Sequence, residues 1–273
     1  MIYWIQMNNK YIGHKKDGQN TSWQGVAGWY KDVVGERGSY YHQHVVLPGV
    51  QRLLSVQPFT SVLDLGCGQG VFGRFIGAKV DYLGVDLATS LINFAQKNDP
   101  AKNHSYKVAD IAKELSLEKK DFDVAVCLLA LQNTDKPQIV LENAIKHLKE
   151  NGRLLLVINH PCFRIPRQSA WGVDEKQNVQ YRRVSSYMSP MKIPVAAHPS
   201  QGEKSPVTWS MHFSITDLSG YLAEAGFLIE KIEEWVSDKK SEGGAASREN
   251  KSRKEIPLFM GILARKLDFK GYP

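Results

Sequence analysis

Residues 62–70, VLDLGCGQG, place an acid and three glycines directly after an apolar run. The apolar residues are typical of a buried parallel strand, and the glycines predict a turn whose backbone adopts positive φ angles and passes close to a ligand. The next residues, VFGRFIG, can begin a helix, so the turn would lead from a strand into a helix. This spacing predicts a small-molecule site on the glycine turn.

A second acid stands about 20 residues further along, where the apolar run VDYLGVDL ends at Asp86. A carboxylate at this place can accept both hydroxyl groups of a ribose, which nicotinamide dinucleotides and S-adenosylmethionine both contain. The glycines are spaced GxGxG, whereas a dinucleotide site uses GxGxxG to hold a pyrophosphate. Asp64 would repel a pyrophosphate and attract the ammonium of an amino acid. The residues therefore favour S-adenosylmethionine over the cofactor of an NAD-dependent reductase.

Strand-like and helix-like segments alternate from Phe59 to about Lys149. Such alternation predicts an α/β fold with a parallel sheet and helices on both of its faces. The later segment ITDLSGYLAEAGF predicts a helix with Thr216 or Asp217 as its N-cap and Gly226 after its end. Two final runs, LIEKIEEWV and IPLFMGILARKL, predict an antiparallel pair of strands at one edge of the sheet.

In these motifs the chain resembles the class I S-adenosylmethionine-dependent methyltransferases of the small bacterial type. Their first motif is similar to VLDLGCGQG, and their second motif ends in an acid like Asp86. The resemblance covers roughly residues 25–160 and the last helix and strands. It implies a Rossmann-like, seven-stranded, mostly parallel sheet, with S-adenosyl-L-methionine as cofactor and S-adenosyl-L-homocysteine as product.

The resemblance also implies the residues that contact the cofactor. The acid in YKVADI would meet the adenine amino group, CLLALQN would line the methionine moiety, and GWYKDVVGERGSYYHQHVVLPGV is similar to a segment that closes over the cofactor. The expected cofactor-binding residues are Tyr30, Arg37, Tyr41, His42, Asp64, Leu65, Gly66, Cys67, Gly68, Gly70, Asp86, Leu87, Ala109, Asp110, Ile111, Leu128, Leu129 and Gln132.

We expect four parts along the chain. Residues 1–58 form an N-terminal helical segment over the cofactor, and residues 59–159 form the cofactor-binding core. Residues 160–212 break the alternation of strands and helices and predict a cap insertion over the substrate, and residues 213–273 return the last helix and two strands to the core. Within this last part, the polar tract 237–255 predicts a mobile loop.

The resemblance implies O- or N-methylation, and the cap favours a small-molecule acceptor. An acceptor hydroxyl or ammonium needs a general base, for which His160 and His212 are the candidates, although each could instead serve a structural role. Arg164, Arg167 and the pair 182–183 could attract an anionic acceptor.

Two alternatives stay open. The net charge of +7 and the basic residues of the segment 239–254 suggest an RNA methyltransferase, although that segment also contains acids. The chain could also bind S-adenosylmethionine without turning it over.

The remaining composition restricts the class of protein. Cys67, Cys127 and Cys162 are far apart and lack the CxxC spacing of a zinc site, so we expect neither a disulfide framework nor a metal site. We interpret the cysteine in the glycine turn as a small apolar filler rather than a nucleophile. No run has the length of a signal peptide core or of a membrane span, so we expect a soluble, cytoplasmic protein that is a monomer or homodimer.

Overall fold

The computed structural model describes Trp23, Gly28, residues 34–196, Ser205 and residues 207–267. The expected cofactor contact Tyr30 lies outside these residues. The continuously described chain leads through a π-helical turn, His42–Val46, into the first long helix.

A seven-stranded sheet forms the centre of the molecule, in the spatial order β10-β11-β5-β4-β1-β2-β3. Strands β1 to β5 run parallel, whereas β11 is antiparallel to both β5 and β10. The predicted α/β fold and its antiparallel edge pair are therefore confirmed. The strands of this sheet are β1 Ser61–Leu65, β2 Asp81–Asp86, β3 His104–Val108, β4 Phe122–Leu128, β5 Leu148–Asn159, β10 Phe227–Trp235 and β11 Phe259–Lys266.

Helices cover both faces of the sheet. Helices α4 and α5 pack with the apolar cluster that includes Leu63 and Leu65, whereas α1, α2 and α3 pack with the cluster that includes Val62. Successive side chains of a strand point to opposite faces, so both faces of β1 are buried in apolar surroundings. The helices are α1 Leu47–Leu54, α2 Val71–Ile76, α3 Thr89–Asn98, α4 Pro137–His147, α5 Ile215–Glu224 and α6 Ala246–Glu255.

The predicted cap region consists of two antiparallel strand pairs between β5 and α5. Strand β6, Ser169–Asp174, pairs with β7, Val179–Val184, and strand β8, Met191–Ala196, pairs with β9, Val207–His212. Both pairs follow the carboxyl end of β5, which is where ligands bind in open parallel sheets.

The prediction of a mobile loop over 237–255 is wrong for its second half, which forms α6. This helix has no apolar face to reveal it in the sequence, and polar contacts hold it against the β6-β7 pair. Arg248 forms an ion pair of 2.8 Å with Glu175, and the Ser252 hydroxyl donates to Gln180 at 3.0 Å. Tertiary contacts therefore order a segment whose composition alone is typical of a loop.

The N-cap of α5 also differs from the prediction. Ser214, rather than Thr216 or Asp217, occupies this position, and its Oγ accepts the Asp217 N–H at 3.1 Å. Asp217 takes the reciprocal place in the capping box, because its Oδ2 accepts the Ser214 N–H at 2.8 Å. Gly226 follows the helix with a φ of 88°, as the sequence predicted.

We expect Ser214→Ala to lower the free energy of unfolding by about 1 kcal/mol, because the substitution leaves first-turn N–H groups of α5 without their acceptor. Urea unfolding followed by circular dichroism would measure the change. Ser219→Ala, on the exposed side of the same helix, is the matched control. Equal stability of the two variants would contradict the assignment of the cap.

Candidate cofactor and acceptor site

The glycine turn lies at the carboxyl end of β1 and has the predicted backbone. Gly66, Gly68 and Gly70 have φ angles of 81°, 55° and 75°, in the region that favours glycine. A Cβ atom at Gly66 would lie 2.4 Å from the Cβ of Ala130, so Ala130, in the loop after β4, also excludes a side chain there. The turn thus keeps bare backbone at the edge of the sheet. Leu65 is fully buried at the end of β1, directly before it.

Asp86 ties the end of β2 to the glycine turn. Its Oδ2 accepts the Gly68 N–H at 2.9 Å, and its Oδ1 accepts the Ala88 N–H at 2.8 Å. Burial raises the pKa of this carboxyl, and the backbone hydrogen bonds oppose the rise. Each oxygen retains a lone pair for another donor, as two ribose hydroxyls would require. Leu87 beside it is 39% exposed and can cover such a ligand.

Asp64 is a buried acid with one unsatisfied oxygen. The Tyr82 hydroxyl donates to its Oδ2 at 2.7 Å, whereas Oδ1 has no hydrogen-bond partner among the described residues. Burial raises the pKa of the Asp64 carboxyl to about 7. A buried carboxylate oxygen without a donor is costly, and an ammonium group would satisfy it. Asp64 therefore fits a cofactor that carries a positive end.

The predicted contacts after β3 lie next to these acids. The Ala109 N–H donates to the carbonyl of Asp86 at 3.0 Å, and Ile111 Cδ1 comes within 3.5 Å of the Cβ position of Gly66. The Oδ1 of Asp110 accepts the Ala112 N–H at 3.0 Å, and its side chain is 26% exposed. Asp110 is therefore an accessible carboxylate just after β3 that can accept a hydrogen bond from an amino group.

The contacts predicted after β4 connect the glycine turn to the end of β5. Leu128 is the last residue of β4, and Leu129 follows it with a φ of 57° and donates its N–H to Val157 at 2.7 Å. The Oε1 of Gln132 accepts the Asn159 N–H at 3.1 Å. This loop therefore spans the ends of β4 and β5.

The described end of the N-terminal segment packs against the glycine turn through a residue that the sequence analysis missed. The amide of Gln69, a residue 1% exposed between two of the glycines, donates to the carbonyl of Gly35 at 2.5 Å. Arg74 in α2 donates to the carbonyl of Glu36 at 2.7 Å. A polar residue inside a glycine turn is the signal that could have revealed this contact. The neighbouring Arg37 is exposed.

Tyr41 and His42 lie at the start of the π-helical turn. The Tyr41 ring meets the Phe259 ring edge-on at 5.9 Å between centroids. The His42 Nδ1 lies 2.8 Å from the hydroxyl of Ser39, and burial lowers the pKa of His42 to about 4. His42 is thus neutral at physiological pH and can offer a cofactor only polar contacts, not a charge.

The Cys67 thiol fits the interpretation as a filler. Its Sγ lies 2.8 Å from the Cβ position of Gly84, in the strand beside the turn. Burial and the nearby carboxyl of Asp64 raise the pKa of the Cys67 thiol well above its usual value. The thiol therefore stays protonated, which is unfavourable for a nucleophile.

The two histidines considered as general bases line one cavity of about 30 Å³ together with Gln132. His160 is 1% exposed, its Nε2 lies 2.6 Å from Glu234 Oε1, and its Nδ1 accepts the Cys162 N–H at 3.2 Å. Both of its ring nitrogens are therefore engaged by the protein, and burial lowers its pKa.

His212 has a different hydrogen-bond pattern. Its Nε2 lies 2.7 Å from the carbonyl of Tyr187. A carbonyl oxygen only accepts, so Nε2 carries the proton and Nδ1 keeps the lone pair of the neutral ring. Among the described hydrogen bonds, those of His160 engage both ring nitrogens, whereas those of His212 engage only Nε2.

Within the described ranges, no group of three or more histidine, cysteine or acidic side chains is placed to hold a metal ion. Across those same residues, no helix is long and apolar enough to span a membrane.

We expect the contribution of Asp64 to stability to fall as the pH rises from 4 to 7, because its carboxyl ionises in the unfolded chain while burial keeps it protonated in the folded protein. Its folded-state pKa of about 7 exceeds the usual value of 3.8, so in this window the folded state binds more protons than the unfolded state. The full effect is on the order of a few kcal/mol.

Urea unfolding at pH 5 and pH 8 measures this change. Between the two pH values Asp64→Asn should gain stability relative to the wild type, whereas Asp81→Asn, at the exposed start of β2, should keep the wild-type pH dependence. The same pH dependence in Asp64→Asn and the wild type would show that folding does not raise the pKa of Asp64.

Comparison with known proteins places the core in a described family. Residues 63–154 match the family model of a methyltransferase domain. The chain is 30% identical over 97 residues to the ubiquinone biosynthesis O-methyltransferase of Rickettsia typhi, which covers 33% of this chain and 37% of that relative. It is 29% identical over 117 residues to the demethylmenaquinone methyltransferase of Lactococcus lactis, which covers 40% of this chain and 46% of that relative. The chain thus spans less than half the length of these relatives.

A solved structure shows the same fold over most of the chain. The S-adenosylmethionine-dependent methyltransferase from Mesorhizobium loti superimposes with a TM-score of 0.61 and 22% identity, over 79% of this chain and 96% of that one. The shared fold and the matched domain model imply S-adenosylmethionine as the cofactor, which the unsatisfied oxygen of Asp64 fits. Residues 63–154 therefore carry a methyltransferase domain, and the chain has the fold of the S-adenosylmethionine-dependent methyltransferases.

Proposed function

We propose that this protein transfers a methyl group from S-adenosylmethionine to an oxygen or nitrogen atom of a small-molecule acceptor. One observation carries the proposal. The acids Asp64 and Asp86 flank the glycine turn, and a cavity lined by Gln132 and His212 lies at the ends of the neighbouring strands β4 and β5. The relatives named as ubiquinone biosynthesis O-methyltransferases support a hydroxyl as the acceptor group.

Each acid has a distinct binding role in this proposal. Asp86 accepts the ribose hydroxyls, Asp110 accepts the adenine amino group, and Asp64 holds the ammonium of the methionine moiety. The remaining predicted contacts supply backbone and apolar surface around these three anchors. When bound, the cofactor supplies a methyl group that its sulfonium already activates. The protein has to orient the acceptor and exclude water.

The proposed general base is His212. Its Nδ1 takes the proton of an acceptor hydroxyl as the methyl group moves, or that of an acceptor ammonium before the transfer, and its Nε2–H stays bonded to the carbonyl of Tyr187. That bond stabilises the imidazolium that forms, because a carbonyl oxygen still accepts from the charged ring. His160 acts instead as a positioning residue, since its contact with Glu234 fixes the start of the cap region.

The RNA-methyltransferase alternative has less support. Several basic residues that motivated it form contacts with acids, since Arg248 pairs with Glu175 and Arg253 pairs with Glu249. These pairs reduce the free positive charge that a phosphate backbone would need. The alternative of cofactor binding without turnover has less support because the relatives are named as methyltransferases.

We expect Asp86→Ala to abolish measurable binding of S-adenosylmethionine and S-adenosylhomocysteine, because it removes the ribose acceptor and releases the Gly68 N–H. Isothermal titration calorimetry would measure both affinities. Asp81→Ala, at the other end of β2, should bind both ligands like the wild type. Undiminished binding by Asp86→Ala, or no binding by the wild type, would refute the cofactor site.

We expect His212→Gln to reduce the rate of methyl transfer by roughly 10²- to 10⁴-fold, the usual contribution of a general base. The assay follows labelled methyl groups from S-adenosylmethionine into a panel of small phenols and amines, and calorimetry with S-adenosylhomocysteine should give unchanged cofactor affinity. His44→Gln, which changes a half-exposed histidine in the π-helical turn, is the control. A wild-type rate in His212→Gln would exclude His212 as the base.

A further inference from the structure

We infer that the methyl acceptor carries a carboxylate and that Arg164 binds it. This inference rests on the proposed function and names the class of its substrate. The arginine lies in the segment between β5 and β6, where its N–H donates to the carbonyl of His160 at 2.8 Å. Arg164 and His212 are both among the residues that line the same cavity, where the acceptor would lie.

Arg164 is half-buried, and its guanidinium is partly buried and incompletely bonded. Its Nη1 has no hydrogen-bond partner among the described residues, and its Cζ lies over the ring of Phe259, 4.9 Å from the centroid. Burial lowers the pKa of Arg164 to about 10, so the group is still charged at neutral pH. An unpaired buried cation is costly, and a ligand anion would offset that cost.

Other arginines of the described chain show what Arg164 lacks. Five other arginines each form an ion pair with a glutamate at 3.3 Å or less, whereas Arg164 forms no ion pair with a described acid. Glu234, in β10, forms its hydrogen bond with His160 instead. The paired arginines are Arg52, Arg153, Arg248, Arg253 and Arg265.

Arg182 adds to the positive charge of this place. Its guanidinium donates to the carbonyl of Phe163 at 2.8 Å and to the hydroxyl of Ser169 at 2.9 Å, and both of these acceptors are neutral. Its charge contributes to the lowered pKa of Arg164. Two arginines without a carboxylate partner therefore lie within electrostatic range of each other, which favours an anionic ligand.

The size and position of the cavity are compatible with a carboxylate of the acceptor. A volume of about 30 Å³ is close to the space of a group of a few atoms, and a carboxylate matches the planar fork of a guanidinium. The cofactor also has a carboxylate. However, Arg164 follows β5, and the sheet order places β4 between β5 and the strand that ends in the glycine turn. That separation favours the acceptor as the source of the carboxylate.

Titration of the protein saturated with S-adenosylhomocysteine tests the inference. The probes are benzoate, 4-hydroxybenzoate and 3,4-dihydroxybenzoate, each compared with its neutral amide. We expect at least one carboxylate to bind the wild type about 10-fold or more tightly than its amide, the contribution of one good charged pair. Arg164→Met should bind acid and amide equally, and Arg164→Lys should retain part of the preference.

Cofactor affinity and thermal stability separate the other roles of Arg164. We expect Arg164→Met to bind S-adenosylhomocysteine like the wild type. Its melting temperature should stay the same or rise, because an uncharged, flexible side chain replaces a partly buried charge that has no acid partner. The inference would be overturned if the wild type bound none of the three acids more tightly than the corresponding amide. A loss of cofactor affinity in Arg164→Met would assign the arginine to the cofactor carboxylate, and a lowered melting temperature would assign it a structural role. Failure of the wild type to bind S-adenosylhomocysteine would instead refute the proposed function.

Discussion

The hydrogen bonds of the Asp86 carboxylate connect the two strands on which the cofactor site depends. One oxygen accepts from Gly68 in the turn after β1, and the other accepts from Ala88 after β2. The turn can take this position only because its glycines adopt positive φ angles and because Gly66 has no side chain to meet Ala130. The Asp86 carboxylate, the positive φ angles and the absence of a side chain at Gly66 together keep the backbone of the turn accessible at the edge of the sheet.

At the carboxyl edge of the sheet, negative and positive side chains lie at different strands. Three acids lie at or just after the carboxyl ends of β1, β2 and β3, whereas two arginines without acid partners lie in the predicted cap region beyond β5. Strand β4 and its loop separate the two sets, and Gln132 connects that loop to the end of β5. A cationic cofactor on one side and an anionic acceptor on the other would each meet complementary charge, which orients both before reaction.

Elements with a periodic apolar pattern were predictable from the sequence, and elements held by polar contacts were not. The strands of the sheet and α5 follow from runs and spacing that bury apolar side chains. Helix α6 has no such face and depends on Arg248 and Ser252 meeting the β6-β7 pair. The predicted N-cap of α5 was wrong because serine and threonine are both good N-cap residues, and only the path of the chain selects Ser214 over Thr216.

The sequence by itself determined the fold class, the glycine turn and the strand ends that carry Asp64, Asp86 and Asp110, because these depend on local spacing and on the burial of apolar runs. Only the tertiary structure decided the environment of each charged or titratable group. It engaged both nitrogens of His160, gave the Nε2 of His212 a carbonyl partner and left Arg164 without an acid. Hydrogen-bond partners and burial come from residues distant in the chain, and they set which group can act as a base and which can bind an anion.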